Sequence, residues 1–356
     1  MVFAARTAAA DDTDAVQIHA FVSQGGLLST HNNIFADTTD GSFEFFEAGL
    51  NLSKQLTPDL TVTMQLFARD LGPIGDYKPK FDFAYFDYHW RDWLGLRAGR
   101  IKLPYGLYND VADIDAARAT ILLPQALYPL VDRDFLLAQT GFELYGFHDF
   151  DSGGALQYRA YGGTIYDSSV TTPGLTIPYI AGARVVWETP LTGLRVAANV
   201  NRLKVKLDED ALHADAEATI PIGSIEYEVG DLTLSGEYSR WYTRVHSNDA
   251  AVVPDLTTTS ERGYLQAAYH VTPWFEPAAY YALLYPDISH RDGRDGRNAD
   301  AAVSVRFDMN RFWIVKFEAH YERGTAGLDP TLNDGTPTGQ LAETWLLFAA
   351  KTTVYF

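Results

Sequence analysis

The 356-residue chain contains no cysteine. That excludes disulfides, thiolate metal sites and a cysteine nucleophile. Long apolar runs are also missing. The longest, 278–285 (AAYYALLY), falls far short of the roughly eighteen residues a membrane helix needs. A helical membrane protein is therefore excluded, but a barrel is not, because a barrel strand spans with about 9–11 alternating residues. Basic charge is scarce: 28 Lys and Arg against 46 Asp and Glu give a formal net charge of −18. No basic surface is left to displace counterions, so nucleic acid is not an expected partner. Repeats, a G-x-S-x-G elbow, a Walker loop and a Rossmann fingerprint are all lacking. No enzyme activity and no cofactor are expected. Ser235, Ser239 and His270 are the one conceivable start of a triad, and chance accounts for them.

What is present in excess is aromatic. Tyr (21) and Phe (20) dominate an aromatic share of 13%, which suits the two interfacial girdles of a membrane barrel. From Val16 onward the pattern alternates. In 60–70 (LTVTMQLFARD), Val62, Met64, Leu66 and Ala68 oppose Thr61, Thr63, Gln65 and Arg69. In 155–163, Leu156, Tyr158 and Ala160 oppose Gln157, Arg159 and Tyr161. In 299–307, Ala301, Val303, Val305 and Phe307 oppose Asp300, Ser304 and Arg306. The last segment sets Phe348, Ala350, Thr352, Val354 and Phe356 against Lys351 and Thr353. One apolar and one polar face at period two is what lipid outside and water inside require.

A soluble sandwich alternates as well, so the connections decide. Short turns are expected at 57–59, 91–92, 151–154, 190–193, 230–231, 271–273 and 308–311. Longer polar links alternate with them at 29–42, 71–80, 105–139, 167–179, 208–215, 246–260, 286–298 and 324–342. That alternation implies about sixteen strands with short turns on one side and long loops on the other. The expected fold is all-β, a single transmembrane antiparallel β-barrel over 16–356. The weakest strands are the one interrupted by Pro221 and the one carrying Pro277. Residues 1–15, with Ala8, Ala9 and Ala10 before Asp11 and Asp12, look like a residual signal or a disordered tail. The final Phe356 fits the terminal aromatic common in bacterial barrels, although Val354 replaces the usual aromatic two places earlier.

The stretch 96–135 (LRAGRIKLPYGLYNDVADIDAARATILLPQALYPLVDRDF) resembles porins of the phosphate-selective porin O/P-like group. The resemblance implies a trimeric sixteen-stranded channel in the bacterial outer membrane, in contact with lipid and lipopolysaccharide. It also implies a third external loop, 105–139 here, folded inward as a constriction. Anion conduction is implied less firmly, because this loop is acidic. It carries Asp110, Asp113, Asp115, Asp132 and Asp134 against Arg118 and Arg133.

Parity assigns the basic lumen residues as Arg69, Arg97, Arg159, Arg184, Arg195, Arg306, Lys316 and Lys351. The acidic set includes Glu47, Asp87, Glu143, Glu188, Glu237, Glu276 and Glu318. A ladder of Arg159, Arg184 and Arg195 facing loop aspartates across the pore would make a transverse field. The plainer alternative is that the charges pair and keep the lumen wet. Arg100 and Lys102 fall on the opposite parity, so either a bulge redirects them or they meet lipopolysaccharide phosphates. The nine histidines show no HExxH spacing and no zinc set, and 291–300 (RDGRDGRNAD) reads as an exposed loop rather than a calcium site. The expected function is passive diffusion of small hydrophilic solutes or ions. The alternatives are a phosphate-type anion channel and a plugged structural barrel.

Overall fold

The computed structural model describes residues 15–165, 174–209 and 211–356. Its first strands are β1 (Gln17–Ser29), β2 (Phe46–Thr57), β3 (Leu60–Asp70), β4 (Lys80–Arg91) and β5 (Leu94–Lys102). A long connection over 103–137, here loop 3, leads to β6 (Ala138–Asp149), β7 (Ala155–Ile165), β8 (Leu175–Glu188), β9 (Leu194–Glu209) and β10 (Leu212–Val229). Then follow β11 (Leu232–Ser247), β12 (Leu256–Tyr269) and β13 (Phe275–Tyr285). The last are β14 (Asn298–Asn310), β15 (Trp313–Gly324) and β16 (Thr344–Tyr355). Each strand pairs antiparallel with the next and β1 pairs with β16, closing one sixteen-stranded barrel.

The barrel is inverted relative to a soluble core. Val22, Phe142, Leu265, Val303, Phe317 and Val354 are exposed on its outside. Ser23, Glu47, Gln65, Arg69, Glu143, Lys316 and Lys351 are buried within it. So wide an apolar exterior would be an aggregation surface in water, and it is the required surface in lipid. Exposed aromatics gather beside the short turns: Trp90, Trp93, Phe150, Trp187, Trp274 and Trp313. This is the interfacial girdle that the composition called for.

All seven short turns fall where the alternation breaks. Both weak strands form. Pro221 sits in the ladder to β9 opposite Val200, while the ladder to β11 skips from Thr219↔Tyr242 to Ile222↔Ser239. Pro277 pairs only with β14, before the ladder to β12 begins at Ala278. Each proline lies where no hydrogen is demanded of it.

Three expected links are corrected: 208–215, 167–179 and 246–260, where β12 already begins at Leu256. The supposed loop 208–215 is mostly strand, since β9 runs to Glu209 and β10 starts at Leu212, with Leu212 opposite Glu209. Lys204–Asp215 (3.0 Å) and Arg202–Glu217 (3.1 Å) pair across this hairpin. Charge on both faces looked like a loop, but it marks strands that continue past the apolar span. The supposed link 167–179 also ends early, because β8 begins at Leu175. Residues 166–173 of that link, residue 210 and the signal-like stretch 1–14 lie outside the described residues.

Candidate functional site

Loop 3 crosses the inside of the barrel and is tied to nearly every part of its wall. It contains a short helix, α1 (Arg133–Leu137). Seven of the eight basic residues assigned to the lumen by parity reach acceptors there, in three groups, and Arg195 lies apart from them.

The first group lies on β4–β8. Arg97 bridges Asp87 (3.0 Å) and Glu143 (2.9 Å). Arg159 bridges Glu143 (2.6 Å) and Asp110 (2.9 Å), and Arg184 takes the other oxygen of Asp110 at 2.9 Å. The second group lies on β14–β16. Lys316 donates to Asp115 Oδ1 (3.1 Å) and to the carbonyls of Asp115 and Arg118 (both 2.7 Å). Lys351 holds Glu47 at 2.5 Å, and Thr353 donates to Asp115 at 2.8 Å. Arg118 of the loop also lies 3.5 Å from Asp115. Arg306 donates to the carbonyl of Ala116 at 2.8 Å, and Glu318 accepts from the backbone of Ile121 (2.7 Å) and Leu122 (2.9 Å). The third group lies on β3–β5. Arg69 holds Asp134 at 3.2 Å, Lys80 pairs with Asp134, Arg133 with Asp82, and Lys102 with Asp113.

A fourth anchor is neutral. Glu237 of β11 accepts from Tyr128, from Tyr264 (2.8 Å), from Ser224 (2.6 Å) and from the backbone of Leu107 (3.0 Å). Tyr105, Leu127 and Tyr128 pack in one buried cluster with Ile180, Ile222 and Tyr264 of the wall. Loop 3 is thus bound by ions on two sides and by apolar packing on a third.

These contacts govern the loop carboxyls. Burial alone would raise Asp110, but the guanidiniums of Arg159 and Arg184 outweigh it and hold it well below the usual carboxylate range. Burial is likewise overcome at Asp115 by Lys316 and Lys351, and at Asp113 by Lys102 and Arg133. Asp134 is held at about 2 against its burial by Arg69, Arg133 and Lys80. Asp132 moves the other way: burial raises it and Arg262 only partly compensates.

The transverse-field arrangement is therefore corrected. The loop aspartates do not face the arginines across the pore; they bind them. Arg159 and Arg184 are register partners, whereas Arg195 sits opposite Glu188, further towards the short turns, and pairs with Glu226 at 2.5 Å. Lys102 turns inward to Asp113 and does not meet lipopolysaccharide. Gly99, three residues before it, has φ +130°. Arg100 donates to the carbonyls of Phe81 (3.0 Å) and Asp82 (3.1 Å). Glu188 is exposed near a short turn, and Glu276 lies buried 3.9 Å from Arg306.

Parity missed Asp82, the extra residue of a bulge where Gln65↔Phe83 is followed by Leu66↔Phe81. A bulge carries no alternation signal. Glu226, Tyr108 and Tyr128 had the right parity or loop position, but nothing local marked them. The hypothetical triad does not assemble: Ser239 donates to the carbonyl of Pro221 (2.8 Å), and His270 lies 3.5 Å from Glu276. In 291–300, Asp292 and Asp295 are exposed, while Asn298 and Asp300 belong to β14. His320 is buried between Asp300 and Glu318, at 3.0 Å from each.

The closed sixteen-stranded wall, apolar outside and charged inside, is the fold of a bacterial outer-membrane β-barrel. No family model matches the chain, and no curated protein matches it by sequence. Solved structures do match over nearly its whole length. In-vitro folded OmpT, an outer membrane protein of Vibrio cholerae, is 12% identical, with a TM-score of 0.65 over 97% of this chain and 98% of that one. An anion-selective porin from Comamonas acidovorans is 14% identical, with a TM-score of 0.64 over 96% and 99%. The outer membrane channel DcaP of Acinetobacter baumannii is 12% identical, with a TM-score of 0.60 over 96% and 97%. At such identities the likeness is one of fold.

Proposed function

We propose that the chain is a porin, a passive diffusion channel for small hydrophilic solutes and ions, and not an enzyme. The observation that carries this reading is the uneven dryness of the inner wall. The side chains of Lys316 and Arg69 are 0% and 2% exposed. Those of Arg97, Arg195 and Asp110 keep 22%, 31% and 33% of their surface open. Because these groups point into a closed barrel, the water reaching them fills part of the lumen along β4–β9. A wet charged path between low-dielectric walls favours hydrophilic solutes. Each open arginine already has a carboxylate partner, so the expected selectivity is weak.

Two other readings have specific support. Arg97, Arg159 and Arg184 lie close together and the 96–135 stretch resembles the phosphate-selective porin O/P-like group, which favours a specific anion channel. The packing of Tyr105, Leu127 and Tyr128 against the wall favours a plugged barrel. A homotrimer in outer-membrane lipid and lipopolysaccharide is the expected assembly; one related structure is described as the trimer form of Vibrio cholerae OmpT.

Single-channel conductance in a planar bilayer, with the reversal potential across a KCl gradient, separates the three. Steady open steps with a small reversal potential support the general porin. Strong anion selectivity with block by millimolar phosphate supports the specific channel. Folded protein that gives no steps supports the plug and ends the porin reading.

A further inference from the structure

On the inner wall, Asp300 of β14 stands directly opposite Glu322 of β15, and Ala302 opposite His320. Two carboxylates facing each other across a ladder repel. Both are buried, Asp300 at 4% exposure and Glu322 at 3%, with His320 at 1% and Glu318 at 4%. Among the described residues no Lys or Arg forms an ion pair with any of these three carboxylates; His320 is their one partner of opposite sign. The other carboxylates that anchor loop 3 differ. Asp110, Asp113, Asp115 and Asp134 each meet a cation, and Glu237 is satisfied by four neutral donors. Three carboxylates against one imidazole leave up to two negative charges uncompensated in a dry wall, which is strongly unfavourable. With the imidazole neutral, as ligation through one ring nitrogen requires, a divalent cation cancels two of the three negative charges.

The geometry matches the charge. One ligand atom from each of Asp300, His320 and Glu322 can be chosen so that all lie within 4.8 Å of one another, close enough for a single ion. The imidazole is already oriented. Its Nε2 lies 3.0 Å from Glu318 Oε1, and Glu318 also accepts from the backbone of Ile121 and Leu122. Nδ1 is turned to Asp300 at 3.0 Å, so with an ion bound Nε2 would keep its hydrogen on Glu318 and Nδ1 would offer its lone pair. A histidine that donates to a carboxylate through one nitrogen and ligates through the other is how metal-bound imidazoles are commonly held. Outer support is present as well. Tyr280 donates to Asp300 Oδ2 at 2.9 Å, and Asn298 donates to Glu322 Oε2 at 2.9 Å. The Asn298 Oδ1 beside them is buried without any donor, a further oxygen with nothing to bind.

We propose that Asp300, His320 Nδ1 and Glu322 form a site for one divalent transition-metal ion, with Zn²⁺ as the fitting type. One nitrogen and two carboxylates suit Zn²⁺, whereas Ca²⁺ and Mg²⁺ favour oxygen sets of about six. His320 and Glu318 connect the ion to the backbone of loop 3, so the metal braces the loop against β14 and β15. The site does not depend on what passes through the lumen.

The test titrates Zn²⁺ alone into folded, EDTA-stripped full-length protein against a chromophoric chelator. The expected result is one tight equivalent per chain, an affinity lowered by about tenfold or more in His320→Asn and in Glu322→Gln, and no displacement by equal Ca²⁺. Heat-modifiable migration on gels checks that each variant is folded, and Asp300→Asn serves where Glu322→Gln does not fold. The exposed pairs His213–Asp208, His246–Asp255 and His290–Asp287 are separated out by replacing those three histidines with Asn, which should leave the tight equivalent intact. Absence of a tight equivalent, its survival in His320→Asn, or its loss in the triple variant overturns the proposal.

Discussion

Asp115 and Asp110 show how the same residue type does different work at two depths. Asp115 touches Lys316, Lys351, Arg118 and Thr353, and its side chain is 2% exposed. Asp115→Asn would leave the buried Lys316 without a carboxylate and Lys351 with Glu47 alone, a change that costs about 3–5 kcal/mol when one partner of a buried pair is removed. Urea unfolding of the folded barrel should register a loss of that order; a midpoint equal to wild type would show that loop 3 is not anchored there. Asp110 is a third exposed and shared by Arg159 and Arg184. Neutralising it should cost stability as well, because the two guanidiniums hold its carboxyl well below its ordinary range, and should leave Arg184 without a carboxylate partner while Arg159 keeps Glu143. The expected readout for Asp110→Asn is a reversal potential moved towards chloride. No movement would mean that these arginines do not border the conducting path.

At the scale of elements, loop 3 and β5 depend on each other. Gly99 has φ +130°, and a Cβ there would collide with the carbonyl oxygen of Ala84. Gly99→Ala is therefore expected to cost about 1–3 kcal/mol and to loosen the Lys102–Asp113 tie, read as a lower urea midpoint. The carboxyl anchors also set an acid limit. Asp134 is held at about 2, below its ordinary 3.8, so its contribution is complete above about pH 4 and lost as pH falls through 2. Asp110, Asp113 and Asp115 shift in the same direction. Stability measured from pH 5 down to pH 2 should fall steepest below pH 4, and Asp134→Asn should remove part of that slope. An unchanged slope would contradict the Asp134 contribution.

For the whole molecule, the decisive property is the reversal of polarity between its two faces. Leu265 is 72% exposed on the outside of β12. On a water-soluble protein, Leu265→Arg would be nearly silent. On a lipid-facing wall it costs up to about 2–4 kcal/mol, depending on depth. Folding yield into bilayers, compared with wild type, checks this, and equal yields would argue against lipid contact at that position. The net charge of −18 bears on solubility and on the approach of ions. The lumen charges described above are largely paired among themselves, so they offset little of it.

Strand number and the places of the short turns could be read from the sequence. Period-two alternation is a local property, and lipid on one side imposes it on each strand separately. Where that constraint lapses, reading fails. The 208–215 hairpin leaves the apolar span, Asp82 sits in a bulge, and Lys102 follows a glycine with a backbone that alternation does not describe. Loop 3 was visible as the longest connection, but its attachments were not. Asp110 meets Arg159, Asp115 meets Lys316, and Tyr128 meets Glu237 across separations of 49, 201 and 109 residues. Local pattern was enough to specify a single antiparallel barrel with one connection much longer than the rest. Only the closed tertiary structure decided which charges cancel, which remain wet, and that Asp300, His320 and Glu322 converge, because barrel closure and loop docking fix those distances.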